Sequence, residues 1–182
     1  MSQIERISSA WDRFEKWSSE NAPDIQLGAG ATDADIIALE THLGYALTEE
    51  LKASLMRHNG VENWTRGELL SVDRIKDEWS CWVGLVDDGT FDDCLGEEND
   101  CITLCWYDKS WIPVDTDGGG NGACLDLNPG AKGKVGQIIQ MERCSGAEGP
   151  LFEDFAAYLE NTAERLEGGK YKVENGYVEE IF

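Results

Sequence analysis

Residues 115–126 read Asp-Thr-Asp-Gly-Gly-Gly-Asn-Gly-Ala-Cys-Leu-Asp, which puts Asp115, Asp117, Asn121 and Asp126 at oxygen-ligand positions of a calcium loop and Gly120 at its turn. The pattern fails on context. Gly119 offers no side-chain ligand, Asp126 stands where the loop needs Glu, and the flanks are strand-like where helices are required, so a glycine-rich turn between strands is the better reading. The chain has two histidines. His58 closes a helix in Met-Arg-His-Asn-Gly, where an imidazole bonds main-chain carbonyls, and His42 lies opposite Leu43 on an exposed face. No nucleophile elbow, phosphate loop or dinucleotide-binding glycine pattern accompanies them. Cys81, Cys94, Cys101, Cys105, Cys124 and Cys144 contain no Cys-x-x-Cys, and the one close pair, Cys101 and Cys105, is far from either histidine. On a strand those two thiols would share a face as small buried hydrophobes. The expectation is a protein that is not an enzyme and uses no metal or cofactor.

Acidic side chains form the one concentrated chemistry. Between Lys76 and Lys109 the chain carries Asp77, Glu78, Asp87, Asp88, Asp92, Asp93, Glu97, Glu98, Asp100 and Asp108 with no intervening cation. Trp79 and Trp82 precede most of this stretch, and Trp106 and Trp111 close it. Large aromatics inside a charged rim suit the centre of an interface, although core packing claims at least two or three of them. The candidate partner-binding residues are therefore Asp87, Asp88, Asp92, Asp93, Glu97, Glu98, Asp100, Asp108, Trp82 and Trp106.

The elements that must position them follow from periodicity. Ile4, Ile7, Trp11, Phe14 and Trp17 recur at helical steps in a helix ending before Pro23. Thr32 caps a second helix with Ile36, Leu39 and Leu43 on one face and Gly44 as its stop. Thr48 caps a third that buries Leu51 and Leu55 and closes at Asn59-Gly60. Ser71 begins a fourth, with Val72, Ile75, Trp79 and Trp82 in phase. Residues 86–100 read as a polar loop or insertion. Strands are expected at 101–107, with Ile102, Leu104 and Trp106 alternating against Thr103, Cys105 and Tyr107, then at 111–114, 123–127 and 136–141. Connections this short favour an antiparallel meander. A helix is expected after Pro150, with Leu151, Phe152, Phe155, Tyr158, Leu159 and Leu166 inward, and then a hairpin over 170–182 turning at Asn175-Gly176. The fold class is α+β, one domain of helices around a central antiparallel sheet.

The 182 residues suit one domain, and 41% hydrophobic content with seven tryptophans supplies a core. A net charge of −21 opposes binding to nucleic acid or an anionic membrane, and favours a cationic partner. Neither a signal peptide nor a membrane span is evident, so the expected location is cytoplasmic and the expected state of the cysteines is reduced.

Residues 27–44, Leu-Gly-Ala-Gly-Ala-Thr-Asp-Ala-Asp-Ile-Ile-Ala-Leu-Glu-Thr-His-Leu-Gly, followed by Leu47 to Gly60, resemble the opening of the SUKH superfamily, which includes the fungal Smi and Knr regulators of cell-wall synthesis. Trp111-Ile-Pro-Val-Asp-Thr-Asp-Gly-Gly-Gly-Asn, with Cys124 to Pro129 and Gly133 to Ile139, is similar to the family's second block. Leu69 to Ile75 with Glu78-Trp79 looks like its middle segment, and Phe152 to Leu159 like its closing helix. The ordered set covers about residues 11–160. Thr48 replaces a frequent proline, and residues 83–99 match no family motif. The resemblance implies helices around a meandering sheet, no family-wide catalytic residues, and fold-determining roles for the Gly-Ala-Thr, Trp-x-Pro and Leu-Asp-Leu positions. It also implies one of two roles. Bacterial members are similar to immunity proteins that neutralise polymorphic toxins, and this short chain without long disordered flanks reads as that kind. The leading expectation is an immunity protein occluding a cognate, nuclease-type toxin with a basic surface. The alternative is a regulatory protein-binding scaffold of the cell-wall type.

Overall fold

A computed structural model describes residues 1–65, 67–174 and 177–181. The first helix, α1 (Gln3–Asn21), opens with a reciprocal cap between Ser2 and Glu5 and buries Ile7, Ala10, Trp11 and Phe14. Trp17 is half-buried and Ile4, on the first turn, is exposed, so the apolar stripe is shorter than its periodicity implies. Helix α2 (Asp33–Leu43) is capped by Thr32 and stopped by left-handed Gly44, and α3 (Glu49–Arg57) is capped by Thr48. Both bury the apolar residues that their patterns select. Helix α4 (Val72–Asp87) extends two residues into the expected loop, with Ser71 as its cap.

Two short strands, β1 (Val61–Trp64) and β2 (Gly67–Leu69), precede α4, where the sequence reading places none. Their pairing is irregular between Val61 and Trp64, and Asn63 takes a positive φ of 58°. A bulge of this kind erases the alternation by which a strand is recognised. Further strands are β3 (Trp111–Pro113), β4 (Asp115–Thr116), β5 (Gly122–Asp126), β6 (Gln137–Glu142) and β7 (Gly146–Phe152). They form antiparallel sheets ordered β1-β2-β4 and β3-β5-β6-β7. Val114 joins them, since its carbonyl accepts from Leu70 N at 2.9 Å and its amide donates to Ala123 O at 2.9 Å.

Helix α5 (Phe155–Glu167) starts later than expected. Pro150, Leu151 and Phe152 continue β7, with Phe152 paired to Ile138, and Leu151 is exposed rather than inward. The helix is nucleated by Asp154, whose carboxylate accepts from Ala157 N at 2.7 Å and from Arg6 Nη1 at 2.9 Å. Although burial pushes the Asp154 carboxyl up, those bonds hold it below the usual carboxylate range. Arg6 also makes a two-pronged contact with Glu160, clamping α1 onto α5. The chain ends in β8 (Tyr171–Glu174) and β9 (Tyr177–Glu180), paired as the expected hairpin. The proposed turn at Asn175-Gly176 lies outside the described residues.

The β3-β5-β6-β7 sheet is buried on both faces. Ile112, Ala123, Leu125 and Ile138 point into a core shared with the helices, Trp11, Trp64 and Phe155. Their alternates Trp111, Cys124, Ile139 and Met141 point into a second core with Trp82, Ile102 and Tyr107. That second face is covered by the end of α4 and the segment 88–110, which has neither helix nor strand. The strand expected at 101–107 is absent because local turns take its backbone: Ile102 N donates to Asn99 O, Cys105 N to Thr103 O, and Cys101 N to Asn99 Oδ1 at 2.8 Å. Ile102 and Tyr107 are buried and Leu104 is exposed, so the proposed alternation and the shared strand face of Cys101 and Cys105 do not hold.

All six cysteines are free thiols. Burial pushes Cys105 up to about 12 and also raises Cys124 well above the usual thiol value, whereas Cys81 and Cys144 are exposed. Iodoacetamide at pH 8, followed by peptide mass spectrometry, should therefore modify Cys81 and Cys144 on the order of 100-fold faster than Cys105 and Cys124. Equal rates at Cys105 and Cys81 would mean that the segment covering the second core opens readily.

Candidate partner-binding face

The acidic segment is the outer surface of the cover over the second core. Its inner surface is an aromatic series. Trp82 stacks on Tyr107 with ring centroids 5.1 Å apart, Phe91 lies 6.0 Å from Trp82 and 5.9 Å from Trp106, and Tyr107 meets Trp111 edge-on at 5.7 Å. Tyr107 Oη donates to Trp111 O at 2.7 Å. Trp82 is 7% exposed and Trp106 half-buried, so both are committed to holding the segment down. This packing leaves Trp82 little surface to offer a partner. Trp79 is spent likewise, donating from Nε1 to Lys109 O at 2.8 Å.

The eight candidate acids separate into two groups. Asp87 pairs with Lys109, and Asp100 with Lys132 at 2.5 Å. Asp108 is half-buried and accepts from Ser110 N at 2.8 Å and Asn128 Nδ2 at 3.4 Å, so it shapes the turn into β3. Asp88, Asp92, Asp93, Glu97 and Glu98 are exposed and make no ion pair with the described residues. Asp88 caps α4, Asp92 and Asp93 lie in the turn that Gly89 opens at φ 73°, and Glu97 and Glu98 lie just beyond it.

Two side chains missed by the sequence reading sit among them. Leu95 and Leu104 are 66% and 49% exposed. Gly96 packs against the Cys105 carbonyl, at a distance where an added Cβ would stand 3.0 Å from that oxygen, so the backbones next to the two leucines approach each other. Leu95 alone had a sequence signal, as an isolated apolar residue in a polar run, while Leu104 was hidden by the false strand alternation. Exposed apolar side chains in a segment rich in free carboxylates are suited to a basic protein surface.

The histidines and the other polar groups singled out by the sequence are engaged within the fold. His58 contacts the Gly28 carbonyl through Nδ1 at 2.9 Å and Glu15 through Nε2 at 2.8 Å, and His42 meets Ser80 Oγ at 2.9 Å. The glycine-rich turn is held by Asp117, which accepts from the amides of Gly119 and Asn121 at 2.6 and 3.0 Å. It links β4 to β5 as expected of a strand-joining turn. Asp126, pushed upward by burial, is bonded by Gln137 Nε2 at 2.9 Å. No group of three His, Cys, Asp or Glu side chains among the described residues is disposed to hold a metal ion. No helix among them is long and apolar enough to cross a membrane.

The SMI1/KNR4 family (SUKH-1) pattern matches residues 30–161, from the start of α2 through half of α5. The chain belongs to that family. It is 26% identical to a glucan synthesis regulatory protein of Neurospora crassa, over 92% of this chain and 40% of that protein. It is also 26% identical to the cell wall biosynthesis/cell cycle regulator of Schizosaccharomyces pombe, over 92% and 38% of the two chains. With the cell wall assembly regulator of Saccharomyces cerevisiae the identity is 23%, over 89% and 41%. The chain thus spans about two-fifths of the length of these relatives. Such relatives favour the regulatory alternative over the immunity reading. Within this SUKH-1 domain, the second core and its acidic cover lie inside the matched span, whereas α1, β8 and β9 lie outside it.

Proposed function

We propose that this chain is a non-catalytic, protein-binding regulatory domain of the cell-wall-synthesis-regulator type. The observation that carries this reading is similarity through nine-tenths of the chain to proteins named as regulators of glucan synthesis and cell-wall assembly. A partner with a basic surface docks on Asp88, Asp92, Asp93, Glu97 and Glu98 around Leu95 and Leu104. The charge of −21 steers it there, and the covered aromatic stack keeps the face rigid.

The test uses the partner purified from the source cells. Replacing the five acids by Asn and Gln should lower its association rate about 10-fold at low ionic strength and flatten the dependence of that rate on salt. The stack beneath is untouched, so the melting temperature should hold. An unchanged association rate in the folded variant would remove the acidic face from the account.

A further inference from the structure

The cover over the second core consists of two pieces of unlike construction. Residues 99–110 are stapled to the body of the fold. The Cys101 carbonyl accepts from Gly130 N at 3.1 Å and from Gln137 Nε2 at 2.8 Å, and the Asp100 carbonyl accepts from Lys132 N at 2.9 Å. Thr103 Oγ1 donates to Asn128 O at 2.7 Å, and Asn99 Nδ2 to Gly149 O on β7 at 2.6 Å. The backbones meet so closely that a Cβ on Gly130 would stand 2.5 Å from the Asp100 carbonyl oxygen. Ile102 and Tyr107 of this piece are buried.

Residues 88–98 are held otherwise. Among the described residues, their backbone amides bond only to the end of α4 or within the piece. Thr90 N donates to Leu85 O at 3.0 Å, Asp92 N to Gly89 O at 3.2 Å, and Cys94 N to Phe91 O at 2.9 Å. None of these eleven residues is buried. Two contacts keep the piece down: Phe91 packs on Trp82 and Trp106, and Gly96 lies against the Cys105 carbonyl and the backbone of Ala147 in β7.

Charge opposes that closure. Asp87 and Asp100, at the two ends of the piece, are each neutralised by a lysine. Between these pins, Asp88, Asp92, Asp93, Glu97 and Glu98 make no ion pair with the described residues, and closing holds them against a chain of net charge −21. The Nε1 donor of Trp106 is buried without an acceptor among the described residues, a further cost of the closed form that water would relieve.

Few buried contacts and bonds confined to one stretch of chain are the marks of a unit that opens locally. We propose that residues 88–98 are a strap, pinned at its ends by Lys109 and Lys132 and latched by Phe91. It lifts as a minor excursion from the closed form while 99–110 stays in place, and the repulsion of its own carboxylates is the force that lifts it. The strap goes beyond the docking reading above, since it operates whether or not those carboxylates meet a partner.

Amide exchange followed residue by residue by NMR is the test, with each rate referred to that of the unstructured chain. The amides of residues 92 and 94 report the strap, and those of Ile102 and Gly130 report the stapled piece. Residues 92 and 94 should be protected at least about 30-fold less than Ile102 and Gly130. Raising NaCl from about 0.02 M to about 0.5 M should increase the protection of 92 and 94 about 5-fold more than that of Gly130. The five-acid variant should show the raised protection already at low salt. Phe91→Ala should strip protection from 92 and 94 and leave Gly130 as it was. Equal protection of the two pieces, or protection of 92 and 94 that ignores both salt and the five-acid change, would overturn the proposal. So would a Phe91→Ala chain in which Gly130 loses protection together with residue 94, because the cover would then open as one piece. The salt series needs no substitution and decides the matter if Phe91→Ala does not fold. A salt-sensitive strap beside an unchanged partner association rate in the five-acid variant would remove the docking face and leave the strap standing.

Discussion

Asp115→Ala should cost roughly 3–5 kcal/mol, measured by urea denaturation, the largest loss expected from one side chain. The carboxylate is 1% exposed and ties strands of both sheets to a helix. Trp64 Nε1 in β1 donates to Tyr158 Oη in α5 at 2.9 Å, and that hydroxyl donates to Asp115 Oδ2 in β4 at 2.7 Å. Oδ1 accepts from Ala123 N in β5 at 2.5 Å. Removing the carboxylate leaves two buried donors without this acceptor, each worth about 1–3 kcal/mol of desolvation, and opens a void between the sheets. Tyr158→Phe breaks the same chain but leaves the Ala123 bond, so about 1–3 kcal/mol is expected. The double variant should cost less than the sum, because both remove one shared bond. Full additivity would mean that the network does not act as a unit.

Gly30→Ala should cost about 3 kcal/mol or more, beyond ordinary overpacking, because nothing near it can yield. A Cβ there would stand 1.7 Å from the Met56 carbonyl oxygen and 2.5 Å from its carbon. The approach is close because residues 28–31 cross the end of α3. Ala31 N donates to Leu55 O at 2.8 Å, Asn59 N donates to Ala29 O at 3.2 Å, and His58 contacts the Gly28 carbonyl. The crossing satisfies a carbonyl that the helix end would leave orphaned. Gly28 supplies the internal control, since a Cβ there meets nothing within 4 Å and Gly28→Ala should change stability by less than about 0.5 kcal/mol. If the two glycines behaved alike, the crossing would have to be looser than this geometry.

These two sites show what could be read from residue types alone. The family resemblance implied a fold-determining role for the Gly-Ala-Thr positions, but the reason for Gly30 is a distance to a carbonyl 26 residues away in sequence, which no local pattern encodes. Helices α1 to α4 were legible because their caps are local, Ser2, Thr32, Thr48 and Ser71 each reaching forward three residues to a backbone amide. The start of α5 was equally local at Asp154 and was obscured by Pro150, which reads as a helix opener but lies in β7.

The candidate face was half legible. The run of acids was plain, but Lys109 and Lys132 neutralise Asp87 and Asp100 from outside the run or across a turn, so only part of it remains free. The tryptophans have a packing role with a physical reason. A sheet buried on both faces needs a second cover, and a chain without a helix to spare makes that cover from a loop pinned by aromatic side chains. An aromatic series inside an acidic loop therefore signals anchoring of the loop as readily as binding of a partner.

We propose that this SUKH-1 chain regulates by binding, as a unit equivalent to the matching part of its fungal relatives. The most direct measurement exchanges that part of the Saccharomyces cerevisiae cell wall assembly regulator for this chain and scores growth of cells lacking the native protein under cell-wall stress. The account predicts that the exchange restores growth, and that the five-acid variant, expressed to the same level, does not. No restoration by the stably expressed exchange, or equal restoration by the variant, would contradict it.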